Sequence, residues 1–233
     1  MKLEHTKFSK IVSKNRNGRQ LVIADIHGCL DTFEALLKQI KLTQNDQLFL
    51  LGDYINKGKN SKGVLDLIIK LQENEEKNGY QIFPLRGNHE QMLIEEYEEI
   101  NLKKDLNNTF EFSELHYNFV SNLPCFYELD NFLLVHAGFN LKIENPFLDF
   151  ESMIWKRDFT ITKEEKENYF HNKTIIIGHN ATFLNDILQD INSKSSSICL
   201  DNGCVYNKKW FLGNLLCLDL DSFKVFIQEN IEN

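Results

Sequence analysis

Five short runs of aliphatic and β-branched residues punctuate the chain: Leu21-Val22-Ile23-Ala24, Leu48-Phe49-Leu50-Leu51, Ile82-Phe83-Pro84-Leu85, Phe132-Leu133-Leu134-Val135 and Thr174-Ile175-Ile176-Ile177. Each has the length of a buried strand, and segments of helical period lie between the early ones, the alternation expected of an α/β fold. Asp31 followed three residues on by Glu34 predicts a capping box, after which Phe33, Leu36, Leu37 and Ile40 fall on one helical face. Val64, Leu65, Ile68 and Leu71 predict a second helix from Ser61 to about Lys77. A third starts near Asn88 and carries Glu95-Glu96-Tyr97-Glu98-Glu99, which reads as a solvated helix face. The pattern then loosens around Trp155 to His171, and Asn192 to Ser197 predicts an exposed loop. Strand-like pieces at Ile198 to Leu200, Trp210 to Leu212, Leu215 to Leu218 and Val225 to Ile227 predict antiparallel β structure at the end.

Composition narrows the class. The 233 residues are 42% hydrophobic and 26% charged, with 3 Pro and 11 Gly, which predicts a single globular domain over residues 1–233 with no linker. A net charge of -8 weighs against nucleic acid as a partner, because gripping a phosphate backbone needs clustered Lys and Arg. Met1 to Lys10 lacks the apolar core of a signal peptide, and no apolar run reaches the roughly 18 residues needed to cross a bilayer, so no membrane association and a cytoplasmic location are expected. Cys29, Cys125, Cys199, Cys204 and Cys217 are odd in number and form no Cys-x-x-Cys pair; they read as buried, reduced thiols.

The chemistry sits just past the five apolar runs. They end in Asp25-Ile26-His27-Gly28, Gly52-Asp53, Arg86-Gly87-Asn88-His89-Glu90, His136-Ala137-Gly138 and Gly178-His179. Each places a metal-capable side chain beside a glycine at the carboxyl end of a predicted strand, where open α/β sheets bind ligands. Taken singly these are ordinary turns; their recurrence in one structural slot, with four of the seven histidines, is what points to a site. His5, His116 and His171 have no such setting and read as surface or core residues. If the chain is still extended at Asp25 and His27, two residues apart, both side chains project to the same side. With Asp53, Asn88, His136 and His179 the donors suffice for two metals sharing a carboxylate, and the mixture of imidazole, carboxylate and amide suits Mn²⁺, Fe or Zn²⁺.

On these motifs the sequence resembles the calcineurin-like metallophosphoesterases, in the branch of serine/threonine protein phosphatases and diadenosine tetraphosphatases. The order Ala24 to Gly28, Gly52 to Gly58, Gly87 to Glu90, His136 to Gly138 and Gly178-His179 follows the family's, and Leu200-Asp201-Asn202-Gly203-Cys204-Val205-Tyr206 is similar to a further family stretch. The resemblance implies a four-layer α/β/β/α sandwich of two mixed sheets. It implies two divalent ions, Mn²⁺ in first place, with Asp25 and His27 on the first, Asp53 bridging, and Asn88, His136 and His179 on the second. His89 matches the family's general acid, Arg157 a phosphate-binding arginine, and Lys57 and Asn88 are expected to bind the phosphate with it. For Arg157 a surface salt bridge accounts for the sequence equally well. Arg86 reads as structural.

Two positions depart from the family's pattern. Asn56-Lys57 replaces Asp-Arg in the second motif, and Ala24 replaces a commoner Gly. Asn56 orients His89 without a charge, which lowers the imidazole's tendency to protonate, and Lys57 offers phosphate a point charge instead of a fork. The first functional expectation is a protein serine/threonine phosphatase, hydrolysing phosphate monoesters by in-line attack of metal-bound hydroxide. The alternative is a dinucleoside polyphosphate hydrolase, and a third is a metal-retaining binding protein with weakened catalysis. The expected partner is accordingly a phosphoprotein or a small phosphoester or nucleotide.

Overall fold

Alternation within the apolar runs decides the layering. The computed structural model describes residues 9–103, 112–206 and 211–232. Among these, the strands are β1 (Ser9–Ile11), β2 (Gln20–Ile23), β3 (Gln47–Leu50), β4 (Gln81–Pro84), β5 (Phe126–Glu128), β6 (Phe132–Val135), β7 (Thr174–Ile177), β8 (Ser197–Cys199), β9 (Asn214–Asp219) and β10 (Val225–Glu229). They form two five-stranded sheets, ordered β10-β9-β2-β3-β4 and β1-β5-β6-β7-β8. Both are mixed: β2, β3 and β4 are mutually parallel with β9 antiparallel to β2, and β6, β7 and β8 are parallel with β5 antiparallel to β6.

Successive strand residues point to opposite faces. In the first sheet Val22, Phe49, Leu216 and Leu218 face inward and meet Tyr127, Leu134, Ile176 and Ile198 of the second, making the central core. The intervening Leu21, Ile23, Leu48, Leu50, Leu215 and Cys217 face outward and are covered by Phe33 and Leu36 of α1 (Leu30–Ile40), Val64, Leu65 and Ile68 of α2 (Ser61–Glu73), and residues of the later helices. On the other side Leu133, Val135, Ile175 and Ile177 pack under an aromatic layer of Phe139, Phe147, Phe159 and Phe170. The order is therefore helix, sheet, sheet, helix, the sandwich expected.

Several local expectations are corrected. α1 starts at Leu30 with Cys29 as its N-cap and no side-chain cap, so Asp31 lies inside the first turn, where its charge faces the positive helix end, and forms no capping box. α2 stops at Glu73, and a separate turn, α3 (Glu75–Asn78), ends at the left-handed Gly79. The predicted third helix is α4 (Asn88–Lys103), with Glu95, Glu96, Glu98 and Glu99 exposed. The sequence reading passed over α5 (Glu114–Ser121), α6 (Phe150–Trp155), α7 (Lys163–Phe170) and α8 (Leu184–Ser193). α7 carries a true capping box, Thr162 with Glu165, inside the stretch that seemed patternless. α8 and β8 take both ends of the predicted loop at Asn192 to Ser197. β8 pairs parallel to β7, leaving only β9 and β10 of the C-terminal pieces antiparallel. No strand forms at Phe211 and Leu212; Trp210, like His5 and most of the N-terminal ten residues, lies outside the described residues. The five cysteines are free, four buried and Cys199 half-buried. His116 is buried between Ser113 and Asp66, and His171 is exposed. Among the described residues no helix is long and apolar enough to cross a membrane.

Candidate metal centre

The carboxyl ends of β2, β3 and β4 meet those of β6, β7 and β8 along one rim, and the loops leaving them are lashed together by backbone hydrogen bonds. Ile26 N and His27 N both donate to Asp53 O (3.0 and 2.8 Å), and Gly178 N donates to His136 O (2.8 Å). His179 N donates to both oxygens of Asp25 (3.0 and 3.1 Å), and His89 N, at the start of α4, donates to Asp53 Oδ1 (3.1 Å). The rim is conformationally costly: His27, Asp53, Asn56, Lys57 and His179 all have positive φ, from 47° to 69°. Non-glycine residues in that region concentrate where surrounding structure holds them for a purpose. The turn at His27 also corrects the expectation of an extended Asp25-Ile26-His27; the side chains converge because the chain curls around the Asp53 carbonyl.

Hydrogen bonding fixes the imidazole tautomers. His136 Nδ1 lies 2.9 Å from Leu51 O and His27 Nδ1 3.0 Å from Ile55 O. A carbonyl only accepts, so both rings carry their proton on Nδ1 and present a lone pair on Nε2. His136 Nε2 then faces Asn88 Oδ1 at 3.0 Å, His179 Nδ1 at 3.2 Å and Asp53 Oδ1 at 3.3 Å. His27 Nε2 faces Asp53 Oδ2 at 3.5 Å and Asp25 Oδ2 at 3.8 Å, with the Lys57 ammonium against it at 2.8 Å. Among the described residues two triads of donor atoms fall within 4.8 Å, His27-Asp53-His89 and Asp53-His136-His179, with Asp53 in both. In the second triad, the lone pairs of Asp53, His136 and His179 repel unless a cation lies between them, and a mixed imidazole, carboxylate and amide set fits borderline divalent metals.

Two glycines leave the space this requires. A Cβ on Gly178 would lie 2.2 Å from Asp25 Oδ1, and one on Gly87 would lie 2.3 Å from Asp53 Oδ1. Any side chain at either position would displace a carboxylate from the donor set.

Electrostatics agree. Burial, then the charge of neighbouring Asp201, pushes the Asp25 carboxyl well up, and burial with repulsion from Glu90 does the same to Asp53. Burial pulls His27 down to about 3 and His89 and His179 down to about 4, with His136 also well below its ordinary value. The rings therefore stay neutral and able to donate lone pairs, while the Lys57 ammonium only partly offsets the carboxylates' charge, a balance that a bound divalent ion reverses. Asp201, at the mouth, is raised to about 6 by burial. A carboxyl raised on folding costs nothing below its unfolded pKa of about 4 and destabilises progressively as pH rises through its folded value. In chelator, wild type should therefore lose stability relative to Asp201→Asn between about pH 4 and pH 6, since Asn keeps the acceptor for Gly203 N. A pH-independent difference in urea midpoint would contradict this.

All ten sequence-predicted site residues come together here. Asp25, His27, Asp53, Asn88, His136 and His179 supply the donors above. Lys57, His89 and Arg157 line a cleft of about 360 Å³, together with Asn180, Asp201 and Tyr206. Asn56 Nδ2 lies 2.8 Å from His89 Nδ1. Arg157 Nη1 reaches Asn180 Oδ1 at 3.5 Å, so the arginine faces the cleft. Arg86 holds Ser121 O (2.6 Å) and Gln91 Oε1 (3.1 Å), a structural role. The sequence reading missed two carboxylates. Fully buried Glu90 accepts from Asp53 N, Tyr54 N and Gly87 N (2.8, 2.8 and 2.9 Å) and so shapes the loop that carries Asp53. Asp201 was visible in its motif but had no role attached. Its signal was its place, immediately after a strand, as for the other site residues.

The chain is similar to several known proteins. The family model described as calcineurin-like phosphoesterase matches residues 18–212. Residues of the chain are 39% identical over 85 positions to a symmetrical bis(5'-nucleosyl)-tetraphosphatase of Wigglesworthia glossinidia brevipalpis, covering 36% of this chain and 29% of that protein. They are 26% identical over 163 positions to Shewanella-like protein phosphatase 1 of Plasmodium berghei, covering 61% and 45%. The chain thus spans less than half the length of these curated relatives. A crystal structure provisionally assigned as a diadenosine tetraphosphatase superposes with TM-score 0.67 at 22% identity, over 96% of this chain and 99% of that one. A serine/threonine phosphatase of Saccharomyces cerevisiae superposes at 0.65 and 16% identity, over 97% and 85%. At these identities the structural likenesses establish the fold alone.

Proposed function

We propose that the chain, which belongs to the calcineurin-like phosphoesterase family, is a metal-dependent hydrolase of nucleotide phosphoanhydrides, a dinucleoside polyphosphate above all. The observation that carries the substrate class is the Asn56 amide at His89 Nδ1. With the amide nitrogen donating, Nδ1 is an acceptor and the single ring proton sits on Nε2, 3.8 Å from Asp53 Oδ2. An imidazolium would meet at Nδ1 only a neutral amide, with no carboxylate there to stabilise its charge, so His89 is a weak acid source in this chain. The alkoxide of a serine or threonine ester is strongly basic and needs a proton as it leaves. A nucleoside phosphate leaves as a stable anion and needs little help.

The roles follow from position. Asp25, His27 and Asp53 hold one divalent ion and Asp53, Asn88, His136 and His179 a second, Mn²⁺ in first place. When bound, these ions supply Lewis acidity and lower the pKa of water. Lys57 and Arg157 hold the phosphate charge at the two sides of the cleft. The amino end of α4, where Asn88 and His89 lie, adds the positive end of a helix dipole. His89 directs its Nε2 proton toward the leaving oxygen.

The reading is tested with Mn²⁺ by comparing diadenosine tetraphosphate, p-nitrophenyl phosphate and a phosphothreonine peptide, in wild type and His89→Asn. Preferential cleavage of the dinucleotide, with a modest loss in the variant, is expected. Faster cleavage of the peptide would favour the second reading, a protein phosphatase, which the likeness to the Plasmodium berghei protein supports. Asn56→Asp with Lys57→Arg should raise turnover of an alkyl phosphate by about a hundredfold, the lower end of acid catalysis, and that of an aryl phosphate much less. Equal changes on both esters would refute the leaving-group argument.

A further inference from the structure

A second and larger cavity, of about 830 Å³, opens beside the catalytic cleft. Their linings come from neighbouring stretches of chain. Ala181 and Gly203 line the catalytic cleft, and Phe183 and Phe211 line the neighbouring one. Between them Asn202 Nδ2 donates to Thr182 O (2.9 Å) and to Phe211 O (3.4 Å), tying both walls to one buried amide.

The walls of this cavity are unusual for a surface. Phe183 is 53% exposed and Phe211 87%. Phe211 also sits at φ 60°, a conformation strained for a bulky side chain. Two aromatic rings lining one cavity can stack on a planar ligand. The polar lining is acidic and amidic: Asp186, Glu229, Asn185 and Asn214, with no lysine or arginine among the described residues. These carboxylate and amide oxygens accept hydrogen bonds from ring and exocyclic N–H groups. The catalytic cleft, by contrast, carries Lys57 and Arg157.

We propose that this cavity is a nucleobase subsite, in which Phe183 and Phe211 stack the base of the same nucleotide whose phosphate chain enters the catalytic cleft. The proposal rests on the nucleotide reading above. Base stacking on an aromatic side chain has an alanine-substitution effect of roughly 5- to 150-fold in binding.

The test compares diadenosine tetraphosphate with inorganic tripolyphosphate, which has no base, under Mn²⁺. Phe211→Ala and Phe183→Ala should each raise KM for the dinucleotide about tenfold, leaving its kcat and both tripolyphosphate constants unchanged. Phe211→Tyr, which keeps the ring, should restore KM. Dinucleotide cleavage with KM unchanged in the Phe183→Ala/Phe211→Ala double variant would overturn the subsite and leave the nucleotide reading standing. An enzyme that cleaves p-nitrophenyl phosphate but no dinucleotide would overturn both.

Discussion

Asp53→Asn should lower kcat/KM by about a hundred- to a thousandfold, the scale of losing a transition-state charge stabiliser, and should take the bound Mn²⁺ of the purified chain from two ions to one or none. Asp53 is the only residue in both donor triads found among the described residues. Its Oδ2 faces His27 Nε2 at 3.5 Å and its Oδ1 faces His136 Nε2 at 3.3 Å. An amide offers one neutral oxygen in place of a shared anion, and its NH₂ would point at one of the two ion positions. The metal-free protein should behave differently. Asp53 is buried beside Glu90 and pushed up by both, so removing its charge relieves a penalty that Lys57 only partly offsets in chelator. The variant's melting temperature in chelator should therefore equal or exceed that of wild type. Added Mn²⁺ should raise wild type well above the variant, because a ligand that binds only the folded state stabilises it. Unchanged metal content measured by elemental analysis would rule out the bridging role.

Glu90→Gln should raise the Mn²⁺ concentration needed for half-maximal activity by about ten- to a hundredfold, the usual effect of removing a group that orients a metal ligand. Glu90 touches no donor atom of the site. Its two oxygens accept three backbone N–H groups, Oε2 from Asp53 and Gly87 and Oε1 from Tyr54. Glutamine has the same shape, yet turns one oxygen into a donor facing donors, and at least one N–H loses its partner in a site closed to water. Asp53 holds a left-handed backbone there (φ 52°), and releasing its N–H lets that strain relax by moving the carboxylate. The metal requirement, measured by titrating the chelated enzyme, separates this positioning role from a general loss of stability. A variant with wild-type metal affinity and reduced melting temperature alone would show that Glu90 only supports the fold.

The sequence by itself determined what kind of protein this is. Period-2 alternation in runs as short as Leu21-Val22-Ile23 fixes which side chains enter the central core and which face the helices, because a strand has only two faces. Motif order placed Asp25, His27, Asp53, Asn88, His136 and His179 at strand ends, and a parallel strand delivers its carboxyl end to a common rim wherever it sits in the sheet. Helices were harder to read where amphipathic period is short. The eight-residue α7 and ten-residue α8 have too few turns for periodicity to stand out, and α1 begins without the side-chain cap its sequence advertises.

Only the tertiary structure decided the rest, because it depends on groups far apart in the chain. The parallel placement of β8 follows from pairing with β7, a non-local choice. Glu90 acquires its role from N–H groups some 36 residues earlier. Asn56 becomes informative through its 2.8 Å contact with His89, which turns a substitution into a statement about proton supply. Phe183 and Phe211 are unremarkable letters in two separate segments. Buried Asn202, by holding the carbonyls of Thr182 and Phe211 at once, brings them to one cavity beside the metal centre.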